Sequence, residues 1–283
     1  MQSRERISKT LTNTLALGVI WLAAIATVGA LGTILLYIIV NGIGQLTPAF
    51  IFGWPHGVNM EGGIWPTIQS TLYVTALAML ITTPVAILAA VYLAEYAVQG
   101  RLVSTIRFAA DSLASVPSIV MGLFGLAAFV EGIGMGFSVI AAALALSFLM
   151  LPIVMRTTEE AIRAVPKYIR WGSYGLGATK WQTVSRIVLP SATPRIVTGV
   201  ILSAGRAAGE TAVVIYTMGT MINAPVLPTQ PGRVMPVHLM LLAQEGINLP
   251  AAFGTALLLV LMVLGFNLTA RYIVRRSNKG MQR

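Results

Sequence analysis

The chain has no cysteine, only two histidines and few charges: 10% of its 283 residues are Asp, Glu, Lys or Arg, against about 25% in soluble domains. Without cysteine there is no disulfide, no thiolate nucleophile and no cysteine metal site. His56 and His238 stand alone in the sequence, without the company of other metal ligands. They read as plain loop or interface residues. With so few histidines and no HExxH or GxSxG pattern, no hydrolytic constellation can be assembled. The scarcity of charge also leaves no room for a large soluble domain.

What remains is apolar. Hydrophobic residues make up 56% of the chain and the mean hydropathy is +0.81, the composition of an integral membrane protein. Six apolar segments, at roughly 15–40, 66–95, 104–130, 137–158, 192–220 and 249–274, reach or exceed the ~20 residues needed to cross hydrocarbon. The first follows a basic start (Arg4, Arg6, Lys9) as in a signal peptide. It outruns the roughly 7–15 residues of a signal core, so we read it as a retained helix.

The net charge of +10 invites a nucleic-acid reading, which its distribution removes. With the N-terminus placed in the cytoplasm and the spans alternating, every Lys and Arg except Arg206 and Arg233 falls on the cytoplasmic side. That asymmetry is the positive-inside rule, and it puts both termini in the cytoplasm. The other connections, Asn41 to Trp65, Glu131 to Gly136 and Met221 to Pro250, are rich in Gly or Pro and read as extracytoplasmic loops. Trp54 and Trp65 fit interface anchors. Pro84, Pro117 and Pro152 lie in or at the ends of spans, where proline often marks a kink. We divide the chain into 1–65 (tail, first helix and loop), a core of 66–274 and a cytoplasmic tail of 275–283.

Two features carry functional signal. The first is Arg206 with Glu210, deep in the fifth segment, where charge is costly. On one continuous helix, Gly199, Ser203, Arg206, Glu210 and Thr217 would share an arc of roughly 60°. Such a face lines a bundle interior or a translocation path. A buried Arg206–Glu210 pair that only pins the helix is the alternative. Gly205 and Gly209 form a GxxxG, which permits close helix contact. Asp111 reads as a surface partner of Arg107, one turn earlier. The second feature is the polar stretch within 159–190, whose charges cannot sit in lipid. Gly172 to Gly177 has the glycine spacing of a P-loop, but Ala178-Thr179 follows instead of Gly-Lys-Ser/Thr, so ATP hydrolysis would need another chain.

The same stretch resembles the cytoplasmic signature of ATP-binding-cassette importer permeases: Glu-Ala-Ala, three residues, Gly, nine residues, Ile, one residue, Leu-Pro. Gly177, Ile187, Leu189 and Pro190 match, while Trp171-Gly172-Ser173 stand where Glu-Ala-Ala would be. Val91 to Ala97, Val116 to Val120 and above all Arg206-Ala207-Ala208-Gly209-Glu210-Thr211 are similar to the phosphate-specific transporter permeases. Thr198 to Leu202 is closer to their PstA-type subunit.

The resemblance implies an all-α, six-span permease of type I importer fold in the inner membrane, non-catalytic itself. It implies a second, PstC-type permease, a PstB-type ATPase dimer that binds ATP and Mg, and an extracytoplasmic PstS-type phosphate-binding protein. The path would run by Ser203, Arg206, Glu210, Thr211 and Thr217. The ATPase would dock at Trp171, Gly172, Ser173, Gly177, Ala178, Ile187, Leu189 and Pro190. Competing readings are a permease for another oxyanion (phosphonate, sulfate or molybdate), an ion-coupled secondary transporter and a non-transporting membrane scaffold.

Overall fold

A computed structural model describes the backbone of residues 2–57, 59–98 and 100–281, and the side chains of residues 16–274 apart from 58 and 99. Arg4, Arg6 and Lys9, and Arg275, Arg276, Lys279 and Arg283, on which part of the charge asymmetry rests, lie outside the described side chains.

Among the described residues the regular structure is helical, except for a two-residue antiparallel hairpin between β1 (Pro55–His56) and β2 (Glu61–Gly62), and residues 218–234 form a long irregular connection. α1 (Gln2–Gly42) leads into a short α2 (Pro48–Phe52) and the hairpin. α3 (Trp65–Val91) ends in a π turn, Tyr92–Tyr96. α4 (Arg101–Ala114), α5 (Ser118–Gly125, continued by a π turn to Gly132) and α6 (Val139–Arg163) follow. α7 (Lys167–Gly175) and α8 (Lys180–Thr183) come next, and a π turn, Val184–Val188, joins α8 to α9 (Leu189–Ala208). The chain finishes with α10 (Ala212–Thr217), α11 (Met235–Gln244) and α12 (Leu249–Met281). Among the described residues, five helices are long and apolar enough to cross a membrane, and six spans result if the bent α4–α5 pair counts as one.

α3 and α6 form the centre and share the most extensive interface. Their meeting faces are small: Ala78, Ala86 and Ala90 belong to one buried cluster with Ala142, Ala145 and Leu146. Lipid is as apolar as leucine, so close backbone approach, rather than hydrophobic burial, holds spans together. Ser147 of α6 adds a hydrogen bond from Oγ to the Ala78 carbonyl of α3 at 3.1 Å. α1 lies apart, its apolar stretch unburied, touching α12 where Gly42 meets Phe253 and Leu257.

The structure corrects the third segment: it is not one straight helix. α4 and α5 meet at 97° across Ser115–Pro117. Proline pushes the residue before it out of the helical region, so the chain breaks at Val116. α4 is amphipathic and tied to α6 by charge. Arg107 reaches Glu159 at 2.7 Å, and Asp111 reaches Arg156 at 2.8 Å. Asp111 therefore has a partner on α6 rather than only its own helix.

His238 is also corrected. It is fully buried in α11, not a loop residue. Its Nδ1 lies 3.5 Å from Arg233, which donates to the Thr220 carbonyl (2.6 Å) and to Met60 Sδ (3.3 Å). These contacts gather the hairpin, the chain after α10 and α11 into one layer at one end of the helix bundle. Burial, and next the Arg233 charge, push the His238 pKa down from 6.5 to about 4.

At the other end, Arg170 of α7 holds Glu95 at 2.6 Å and donates to the carbonyls of Val165 and Ile162. The two side chains are 14% and 9% exposed. One guanidinium thus satisfies the open carbonyls at the end of α6 and ties α7 to the end of α3.

Two outcomes follow. Arg170→Met leaves Glu95 buried without its cation, a loss of about 3–5 kcal/mol. The unfolding midpoint of the purified subunit should drop, and adding Glu95→Gln should recover part of the loss. An unchanged midpoint would remove the lock from the account. For His238, the native pKa lies below the unfolded one, so the unfolded chain binds the extra proton. Stability is therefore full above about pH 6.5 and declines as the pH falls to about 4. Melting curves across that window should be flatter for His238→Asn than for the natural chain, and equal slopes would contradict the assignment.

Candidate functional site

The fifth segment carries the site, and the break in it decides the geometry. α9 stops at Ala208, Gly209 and Glu210 fold into a tight turn, and α10 restarts at Ala212. In that turn the Gly209 N–H donates to the Arg206 carbonyl and the Glu210 N–H to the Ala207 carbonyl, each at 3.1 Å. The single arc drawn from 199 to 217 assumed a continuous helix and does not survive the break.

The five residues separate accordingly. Ser203 is buried, and its hydroxyl donates to the Gly199 carbonyl at 2.9 Å. Thr217 is buried on α10, its hydroxyl on the Val213 carbonyl and its methyl against Gly125, where a Cβ would lie only 2.6 Å away. Both face the interior of the subunit. Gly199 is equally internal, pressed on Thr157 of α6. Arg206 is exposed, and Glu210 and Thr211 are half-buried beside the break. Among the described residues no ion pair joins Arg206 to Glu210. The buried pinning pair is therefore absent. Of the GxxxG glycines, Gly205 packs against Phe266 of α12, while Gly209 meets only its own helix.

Arg206 lies in the last turn of α9, at the end of a helix long and apolar enough to span a membrane. An arginine is costly in hydrocarbon, so its exposed face is suited to water, a polar cargo or another protein surface rather than to lipid tails.

The second group lies at the cytoplasmic end. The polar stretch is not a loop but two helices meeting at a turn. Gly177 supplies that turn with φ +82°, a left-handed backbone in which glycine is unstrained. Thr179 caps α8 through a capping box with Gln182. Ser173 is buried and shares a 2.8 Å hydrogen bond with Thr183, and Ala178 donates its N–H to the Ser173 carbonyl. Lys180 sits over the Tyr96 ring at 5.0 Å. Trp171 and Gly172 are exposed; Ala178, Ile187 and Leu189 are half-buried, and Pro190 is exposed.

Five of the eight residues lie in the α7–α8 hairpin, while Ile187 is in the π turn and Leu189 and Pro190 begin α9. Ser173 ties the two arms together and Leu189 packs on the apolar cluster behind them. Trp171 (67% exposed) faces outward with Tyr168, Leu176 and Trp181, an exposed apolar patch of the kind that suits a protein contact. The Arg170–Glu95 lock escaped the sequence reading. Its one signal was Glu95, an acid at the end of an apolar run.

A family model for the binding-protein-dependent transport system inner membrane component matches residues 83–283. The probable ABC transporter permease protein YqgI of Bacillus subtilis is 36% identical, with 94% of this chain and 96% of that protein covered. The phosphate transport system permease protein PstA 1 of Mycobacterium tuberculosis is 36% identical, with 80% and 77% covered. A chain of the MetNI methionine ABC transporter superposes with a TM-score of 0.60 at 21% identity, covering 75% of this chain and 93% of that one. A chain of a bacterial alginate ABC transporter gives 0.69 at 16% identity, covering 96% and 98%. At those identities the two structures speak for the fold alone. The chain belongs to the binding-protein-dependent transport system inner membrane components, the multi-pass permease subunits of ABC transporters, and within them it resembles the PstA-type permeases.

Proposed function

We propose that this chain is a permease subunit of an ATP-driven importer of inorganic phosphate, with both termini in the cytoplasm. One observation carries the reading: Arg206 is exposed on a spanning helix, has no ion-pair contact with Glu210, and sits in a Arg-x-x-Gly-Glu-Thr stretch similar to phosphate permeases. The phosphate transport relatives, 36–37% identical over most of the chain, point the same way.

In this reading a second, PstC-type permease closes the open face of α9, and phosphate crosses between the two subunits. Arg206 supplies the positive potential that a phosphate dianion needs inside the membrane. Glu210 weakens that attraction so the anion can leave. Thr211 adds a hydroxyl at the break. Ser203 and Thr217 belong to the packing behind this wall. A PstB-type ATPase dimer, carrying ATP and Mg, docks on the hairpin around Trp171, and a PstS-type protein delivers phosphate from outside. Closure of the ATPases moves the two docking hairpins together, and the spans follow as rigid bodies. Arg170 makes that transmission stiff by joining α7 to α3 and α6.

Arg206→Ala in the reconstituted complex should lower phosphate uptake by about tenfold or more, the scale of one lost charge-assisted contact, with basal ATP hydrolysis retained. Uptake at the normal rate would overturn the role. Gly177→Val strains the turn, because a β-branched residue disfavours φ near +82°. The variant should insert in the membrane yet lose the ATPase on co-purification, and normal co-purification with normal coupling would remove the docking assignment.

A further inference from the structure

We infer that Arg195 is a second station for the transported anion, at the cytoplasmic end of the wall that Arg206 begins. The inference rests on the reading of Arg206 as a path residue and extends it to a residue outside the matched motifs.

The argument starts from helix geometry. α9 is continuous from Leu189 to Ala208, so Arg195 and Arg206 are three turns apart, offset by only about 20° and separated by about 16 Å along the axis. Ser191, Arg195, Thr198, Leu202 and Arg206 follow one another at spacings of four, three, four and four, a single stripe along the helix. Every member of that stripe is exposed or half-buried, whereas Ala192, Ile196, Gly199 and Ser203 beside it are buried. The open face that holds Arg206 in the membrane therefore runs without interruption to Arg195. Among the described residues neither arginine forms an ion pair, so both cations remain free to meet an anion.

Arg195 also borders a cavity of about 270 Å³, and liquid water takes about 30 Å³ per molecule. The space therefore holds a small anion with part of its hydration. Its wall is largely apolar, formed by Val165 and Ile169 on one side, Ser191, Pro194 and Arg195 of α9 on another and Val274 of α12. In such surroundings one guanidinium dominates the local field. Ile169 precedes Arg170, the residue that grips Glu95, so one wall of the cavity is the helix placed to meet the ATPase. A shift of α7 reshapes the cavity, which links release of the anion at Arg195 to the state of the nucleotide-binding partner. A lone strong site would trap phosphate, and two separated cations allow it to be handed on.

The test uses the complete transporter, with its partner permease, ATPase and binding protein, in liposomes under ATP, measuring radiolabelled phosphate uptake and ATP hydrolysis. Arg195→Gln should lower the maximal uptake rate about tenfold, the scale of one lost charge-assisted contact. The external phosphate needed for half-maximal rate should not change, and Arg195→Lys should restore most of the loss. Uptake at the natural rate in Arg195→Gln overturns the station, as does a loss that lysine fails to restore. Repeating the comparison in vesicles of phosphatidylcholine alone separates cargo from lipid. A defect that persists there supports the station, and one confined to vesicles with anionic lipid assigns Arg195 to a headgroup and overturns it. If the natural complex moves another anion and not phosphate, the substrate reading fails, while the ratio of variant to natural rate for that anion still decides Arg195.

Discussion

A bilayer does not solvate charge, and the principal ionic contacts among the described residues are arranged in keeping with that fact. The charges divide by how they meet it. Arg107, Arg156, Arg163 and Arg170 pair with acids where the helices leave the membrane. Arg233 is buried, but on carbonyl and sulfur acceptors in the layer at one end of the helix bundle. Among the described residues neither Arg206 nor Arg195 has an acid partner, and the proposed path wall is read from the exposed stripe they share.

The same constraint explains the cytoplasmic hairpin. Buried ion pairs gain little net stability, because desolvation of both ions offsets their attraction. The value of Arg170 lies in its geometry. It joins α7 to Glu95 at the end of α3 and to the Ile162 and Val165 carbonyls at and just beyond the end of α6. On the proposed function, a push on Trp171 would reach both central spans through polar contacts that would have to break before α7 could slide, the rigidity that a two-state transmission needs.

The spans were legible because hydropathy over twenty residues is a strong signal. The polar stretch around Gly177 stood out because its charges and its glycine and proline spacing interrupt the apolar runs. What the sequence concealed were the places where the helix stops. Val116-Pro117 breaks the third segment at 97°, and Gly209–Glu210 break the fifth. Both lie inside apolar runs, where hydropathy has no contrast and periodicity presumes a continuous helix. That presumption moved Ser203 and Thr217 onto a path they do not face. His238 was misread for a related reason. An isolated histidine between prolines looks solvated, and only the fold puts an apolar α11 around it. Arg195 was hidden by success, because the positive-inside rule already accounted for it.

Within α9 the break itself has a physical use. A helix that continued past Ala208 would carry Glu210 one turn above Arg206, at the spacing of a stable ion pair. Neutralised in that way, Arg206 would be a structural rivet with little field left for a passing anion. The turn at Gly209 takes Glu210 off that register, and among the described residues the two side chains form no ion pair. A path residue needs an intermediate state: attractive enough to draw an anion out of water, weak enough to release it. Glycine permits the tight turn, and Gly205, pressed on Phe266, holds α9 against α12 just before it. The Arg-x-x-Gly-Glu-Thr stretch is then intelligible as a unit. Its glycine makes the turn that keeps the two charges out of contact, and on the proposed function this leaves Arg206 available to an anion.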